Sequence, residues 1–183
     1  MLFTAVAVAV GIAVGLLTGG RLQHLGERTF HAVPLLVAGV ALQLVSGLLA
    51  DVSVGLVLLS YVALLAFCAL NLRVVGMGVV LVGLAMNSLV IAVNGGMPVR
   101  RSAVVAADIA GYDDLPDIKL KGKRHFEDED DRLMFLADIV PVPLLHEVLS
   151  FGDLVMSVGV ADALVHLLRP ERRRPFWEAD RRP

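Results

Sequence analysis

Charge is nearly missing from the first half of this chain. Between Met1 and Val99 only Arg21, Glu27, Arg28, Asp51 and Arg73 carry formal charge. Over all 183 residues charged side chains reach 19% and hydrophobic ones 57%, where soluble domains run at about 25% and about 45–50%. A mean hydropathy of +0.76 agrees, and together these values exclude an ordinary soluble domain. Cysteine is present once, as Cys68, which excludes an intrachain disulfide framework or a thiol–metal cluster. Basic residues in the polar middle segment alternate with acids and lack interleaved aromatics, so nucleic-acid binding has no support. No basic stretch precedes the first apolar run and no A-x-A site follows it, so that run is expected to be a retained helix rather than a signal peptide.

What the chain does have is long apolar stretches. A bilayer core of roughly 30 Å takes about 20 apolar residues as a helix. Met1–Gly20, Ala32–Ala50, Val52–Leu72 and Val74–Val99 meet that length without internal charge. Val148–Leu168 is a fifth, carrying Asp153 and Asp162. The expected fold is therefore all-α, a polytopic membrane bundle of about five transmembrane helices. Residues 1–99 hold four of them, 100–147 an external loop, 148–168 the fifth, and 169–183 an Arg-rich tail. Small residues at Gly11, Gly15 and Gly19, at Gly39 and Gly47 either side of Gln43, and at Gly76 and Gly83 predict close helix contacts.

Short basic segments lie on the cytoplasmic side of membrane proteins. Arg21, Arg28, Arg73, Arg169 and the tail arginines Arg172, Arg173, Arg174, Arg181 and Arg182 share one side if the N-terminus is outside and the C-terminus cytoplasmic. The expected location is a bacterial cytoplasmic membrane, with the tail attracting anionic lipid. The external segment then contains seven basic and eleven acidic residues. Its apolar stretch Leu133–Leu145, broken by Pro141 and Pro143, is too short to span and predicts an interfacial or re-entrant piece before the last helix.

Ionisable groups within a span mark sites. Asp153 and Asp162 are nine residues apart, about 900° of helix rotation, and so lie on opposite faces. Ser150-Phe151-Gly152-Asp153 has capping-box spacing. The alternative for Asp153 is a functional carboxylate with Asp138, where two acids sharing a site would divide into one acid and one base. Asp162 and His166, four apart, can share a hydrogen bond or relay protons. Asn87 is expected to tie helices together. Asn94-Gly95-Gly96-Met97-Pro98-Val99 ends a helix and exposes backbone amides, a helix stop or a ligand-binding turn. His125 beside the acidic run Glu127–Asp131 fits no metal template, so the run reads as a solvated face and no metal is expected.

On the segments Asn94–Val99, Leu136–Pro143 and Ser150–Asp153, the chain resembles bacterial multi-pass membrane proteins grouped under a domain of unknown function, over residues 1–168. That resemblance implies no activity. The arrangement of the last four helices is also similar to lipoprotein signal peptidases, with Asp138 and Asp153 as the matching aspartate pair and Asp131-Arg132 echoing an Asp-Arg segment. It departs in its additional first helix, in Gly152 and in lacking an Asn before Asp153. The preferred reading is non-enzymatic, without a cofactor: binding of a lipid-like ligand or a membrane-protein partner at the outer face through Asn94, Gly95, Gly96, Asp138 and Asp153. The alternatives are an aspartate-dependent hydrolase using Asp138 and Asp153, and a proton-coupled carrier using Asp162 and His166.

Overall fold

A computed structural model describes residues 2–27, 29–49 and 52–170. The chain is mostly helical, with five long helices: α1 Leu2–Leu17, α2 Val33–Leu48, α3 Val54–Leu70, α4 Met77–Asn94 and α6 Phe151–Leu167, plus a short α5 Arg101–Ala106. Four three-residue strands lie between α4 and α6: β1 Met97–Val99, β2 Arg124–Phe126, β3 Val140–Val142 and β4 Glu147–Leu149. The Arg-rich tail from residue 171 onward, including Arg172, Arg173, Arg174, Arg181 and Arg182, lies outside the described residues.

Each long helix is shorter than the apolar run that encodes it. Local chemistry sets the ends. Gly19, at φ 89°, follows the last turn of α1; Ser53 caps α3 by accepting from the Leu56 amide at 3.2 Å. Gly95, at φ 68°, stops α4 in the left-handed conformation that glycine tolerates. As a result, among the described residues only α4 is long and apolar enough to cross a membrane by length and composition. The helices α1, α2 and α3 are apolar but have 16, 16 and 17 residues, about 24–26 Å at 1.5 Å per residue. Five spanning helices are therefore not established by helix length.

The helices pack in the order α2, α3, α4, α6, α1, each against the next. Glycine makes the central contacts close. A Cβ on Gly83 would fall 2.6 Å from the Gly152 carbonyl oxygen, and one on Gly159 would fall 2.6 Å from the Val80 nitrogen. On the other flank of α6, a Cβ on Gly11 would lie 2.9 Å from the Ala161 backbone. Small residues thus bring α1 and α4 to backbone distance from α6. The two ends of the row, α1 and α2, share no comparable interface among the described residues. The outward faces are apolar, with Val10, Val37, Leu59, Val62, Val82 and Val158 exposed.

Residues 97–149 fold as a cap over one end of the bundle, where α1, α3 and α6 begin and α2 and α4 end. Val99, Ala103, Val104, Ala107, Leu115 and Val148 form its core. The stretch Leu133–Leu145 is neither helical nor continuous. It makes a 3-10 turn at Met134–Leu136, strand β3, and a second 3-10 turn at Pro143–Leu145.

Substituting Gly83 by Val should force α4 from α6 and lower stability by about 1–3 kcal/mol, as overpacking does. Gly55→Ala, where a Cβ meets nothing within 4 Å, should be close to neutral. Thermal unfolding of the two variants checks this, and equal midpoints would contradict close α4–α6 packing.

Candidate functional site

Three sequence segments converge at the cap, and main-chain hydrogen bonds hold them together. Strand β1 pairs in parallel with β2, aligning Met97 with Arg124 and Val99 with Phe126. Along β1, Asp138 also bridges Val99 in parallel: its amide donates to the Pro98 carbonyl and its own carbonyl accepts from the Arg100 amide, both at 3.0 Å. Beyond Asp138, β3 pairs antiparallel with β4, Val140 opposite Leu149. Strand β4 runs directly into Ser150, the N-cap of α6. The segment Asn94–Val99 is therefore a scaffold. It delivers Arg124 and Asp138 to the place where α6 begins.

Asn94, Gly95 and Gly96 themselves do not line the site. Asn94 is spent on the Arg132 backbone, donating to its carbonyl at 2.9 Å and accepting from its amide at 2.8 Å. Gly96 passes close to the next strand, so that a Cβ would fall 2.6 Å from the Lys123 carbonyl oxygen.

Beneath the cap is a cavity of about 720 Å³ reached by residues of all five long helices. Ala5 and Val8 of α1, Val40 and Leu44 of α2, Leu64 of α3 and Leu84 of α4 make its wall apolar. A second cavity of about 240 Å³ lies beside it, lined in part by Ser46, Met97, Lys121 and Gly122. Gln43, Tyr61, Asn87, Arg124, Asp138 and Asp153 line both. This polar group sits where the two chambers meet. Since α1 and α2 both border the larger cavity without packing on each other, it faces the side of the bundle between them.

Asp153 is held twice. It forms a capping box, its Oδ2 accepting from the Ser150 amide at 3.1 Å while Ser150 Oγ accepts from the Asp153 amide at 3.0 Å. Its Oδ1 accepts from Asn87 Nδ2 at 2.8 Å. Ser150 Oγ in turn donates to Asn87 Oδ1 at 2.9 Å. Asn87 thus clamps α4 to the first turn of α6 through both of its amide atoms.

Asp138 is the opposite case. It is 1% exposed, and neither carboxylate oxygen has a hydrogen-bond partner among the described residues. Arg124 Nε lies 3.0 Å from its Oδ2, near enough for charge attraction but off the hydrogen-bonding direction. Burial pushes the Asp138 carboxyl up, Arg124 pulls it down and Asp153 pushes it up again, leaving it at about 7.

Other candidates stand apart from the cavity. His166 Nδ1 is 3.1 Å from Asp162 Oδ1 at the far end of α6, with both side chains about two-fifths exposed (41% and 42%). Asp131 is not part of a solvated face. Its side chain is 4% exposed, 2.9 Å from His125 Nε2, and accepts from the Asp128 amide. His125, Asp128 and Asp131 have donor atoms within 4.8 Å of one another, a spacing that could hold a divalent cation. Arg124 had no sequence signal beyond a basic run, Tyr61 had none within an apolar run, and Gln43 was marked only by its flanking glycines.

A family profile described as a family of unknown function (DUF5317) matches residues 27–165. The chain belongs to this family. The match takes in the cap, four of the five long helices and every polar residue that lines both cavities, and leaves out α1. No curated protein and no solved structure matches the chain. Membership carries no activity with it, so any function has to be argued from the cavity.

Replacing Asn87 by Ala removes the hydrogen bonds to Asp153 Oδ1 and from Ser150 Oγ while the capping box stays, and should cost about 1–3 kcal/mol, read by denaturant unfolding; an unchanged midpoint would contradict the clamp. Asp138 generates a pH dependence. Between about pH 4, where an ordinary aspartate ionises, and about 7, the folded protein holds a proton that the unfolded chain has lost. Stability then falls as pH rises through that window, by about 1.4 kcal/mol per pH unit at most. The wild type should lose more stability from pH 5 to 8 than Asp138→Asn, and parallel profiles would contradict the assignment.

Proposed function

We propose that this protein is a membrane-embedded binder of an amphiphilic, lipid-like ligand. The single observation that carries the reading is the cavity of about 720 Å³, apolar along its length and polar at one end. Such a shape suits a molecule with a hydrocarbon chain and a polar head. The opening between α1 and α2 would admit the chain sideways from a bilayer. The exposed valines and leucines around the bundle support membrane embedding, since soluble monomers rarely leave contiguous apolar surface of that extent. Helices of 16–17 residues would be accommodated by local thinning of the bilayer or by flanking residues. In this reading the cap end is the outer end, the N-terminus lies outside, and the C-terminal tail lies in the cytoplasm, where its arginines would meet anionic lipid.

A hydrolase reading has one observation in its favour: Asp138 and Asp153 line the same cavity, and Asp138 keeps its proton to about pH 7. Against it, both Asp153 oxygens are occupied by Asn87 and the Ser150 amide, which fits a helix cap better than a base. The carrier reading has less. Asp162 and His166 are at the opposite end of α6, and Leu154 to Ala161 between them and the cavity includes no ionisable residue.

Filling the chamber tests the binding reading. Ala5→Trp with Val40→Trp should reduce retention of an alkyl-chain fluorophore by tenfold or more while the unfolding midpoint holds. Retention unchanged in a folded double variant would overturn it.

A further inference from the structure

The smaller chamber has unsatisfied groups of both signs, and they are arranged to be met together. On the donor side, Ser46 Oγ is buried with no hydrogen-bond partner and lines this chamber with Lys121 and Arg124. Arg124 uses only Nε toward Asp138. Its two terminal nitrogens have no partner among the described residues, and its side chain, 46% exposed, borders both chambers. On the acceptor side stands Asp138, fully buried, with both oxygens lacking a hydrogen-bond donor. Buried polar atoms in folded proteins are seldom left unpaired without a reason, and here three of them, with two cations, surround one small space.

A purely anionic head group would satisfy Arg124, Lys121 and Ser46 but would meet Asp138 and Asp153. A purely cationic one would satisfy Asp138 but would meet Arg124 and Lys121. Only a group with both charges answers the whole set. Building on the amphiphile reading above, we propose that the smaller chamber receives a zwitterionic phosphate–ammonium head group, its phosphate on Arg124, Lys121 and Ser46 and its ammonium on Asp138. The chamber, about 240 Å³, has room for a phosphoethanolamine-sized group, and the hydrocarbon chains run from it into the larger cavity. Asp153, tied by Asn87 and Ser150, adds negative potential on the ammonium side without itself releasing a contact. A primary ammonium supplies three N–H donors to the Asp138 oxygens that lack a hydrogen bond, which a trimethylated ammonium does not.

Binding of chain-matched lipids to the full-length protein in a neutral detergent, read by native mass spectrometry, tests this directly. Phosphoethanolamine lipid should be retained at least tenfold better than phosphoglycerol lipid, phosphocholine lipid or headless diacylglycerol. Arg124→Gln should reduce it to the diacylglycerol level, and Asp138→Asn should erase its advantage over phosphoglycerol lipid while lipid is still bound. The wild-type series decides the matter even if a variant does not fold. Phosphoglycerol lipid bound as tightly as phosphoethanolamine lipid, or all four bound alike, would overturn the head-group assignment and leave the amphiphile reading standing. Failure of all four to bind would remove the amphiphile reading itself, and this inference with it.

Discussion

The backbone-to-backbone approach of α4 and α6 is the constraint on which the site depends. Gly83 faces Gly152 with no room for a Cβ on either. That lets Asn87, one turn further along α4, reach Ser150 and Asp153 with both amide atoms. A larger residue on either helix would move the first turn of α6 away from Asn87 and break both hydrogen bonds that tie Ser150 and Asp153 to α4. The glycines therefore do more than pack the bundle. They set the position of the carboxylate that closes one side of the cavity.

From this junction the cap is tied in by short strands rather than by a large core. Strand β1 continues the chain from α4, and both of its edges are used, Arg124 aligned with Met97 and Asp138 bridged to Val99. Strands β3 and β4 then return the chain to Ser150. Arg124 and Asp138 are thus fixed by main-chain register, and Asp153 by a helix cap. That rigidity gives an unpaired carboxylate such as Asp138 its meaning. A surface aspartate would turn to water, whereas this one is held in a buried position beside Arg124, and burial raises its affinity for a proton.

Much of the architecture was legible in the sequence, because apolar runs, glycine spacing and the Ser150–Asp153 capping pattern are local signals. The helices were readable as elements, though not their lengths, which Gly19, Ser53 and Gly95 cut below the apolar runs. Asp138 and Asp153 were recognisable as a pair to examine, since acids are costly in apolar surroundings. The role of Asn94–Val99 was readable only as far as a helix stop. That its strand aligns Arg124 and Asp138 depends on pairing across 27 and 39 residues, which no local pattern encodes. Arg124 was hidden for the same reason: in the run Lys119–Arg124 it resembles its neighbours, and only the β1–β2 register sends it to the cavity. The acidic run misled in the other direction, since Asp131 leaves the surface to meet His125.

A density map of the full-length protein purified from the cells that make it tests most directly whether the cavity opens between α1 and α2 and holds a ligand. The prediction is a continuous elongated density that starts between α1 and α2, follows Val8 and Val40, and ends against Arg124 and Asp138. A map in which α1 packs directly on α2 and the space beneath the cap is filled by side chains would contradict it.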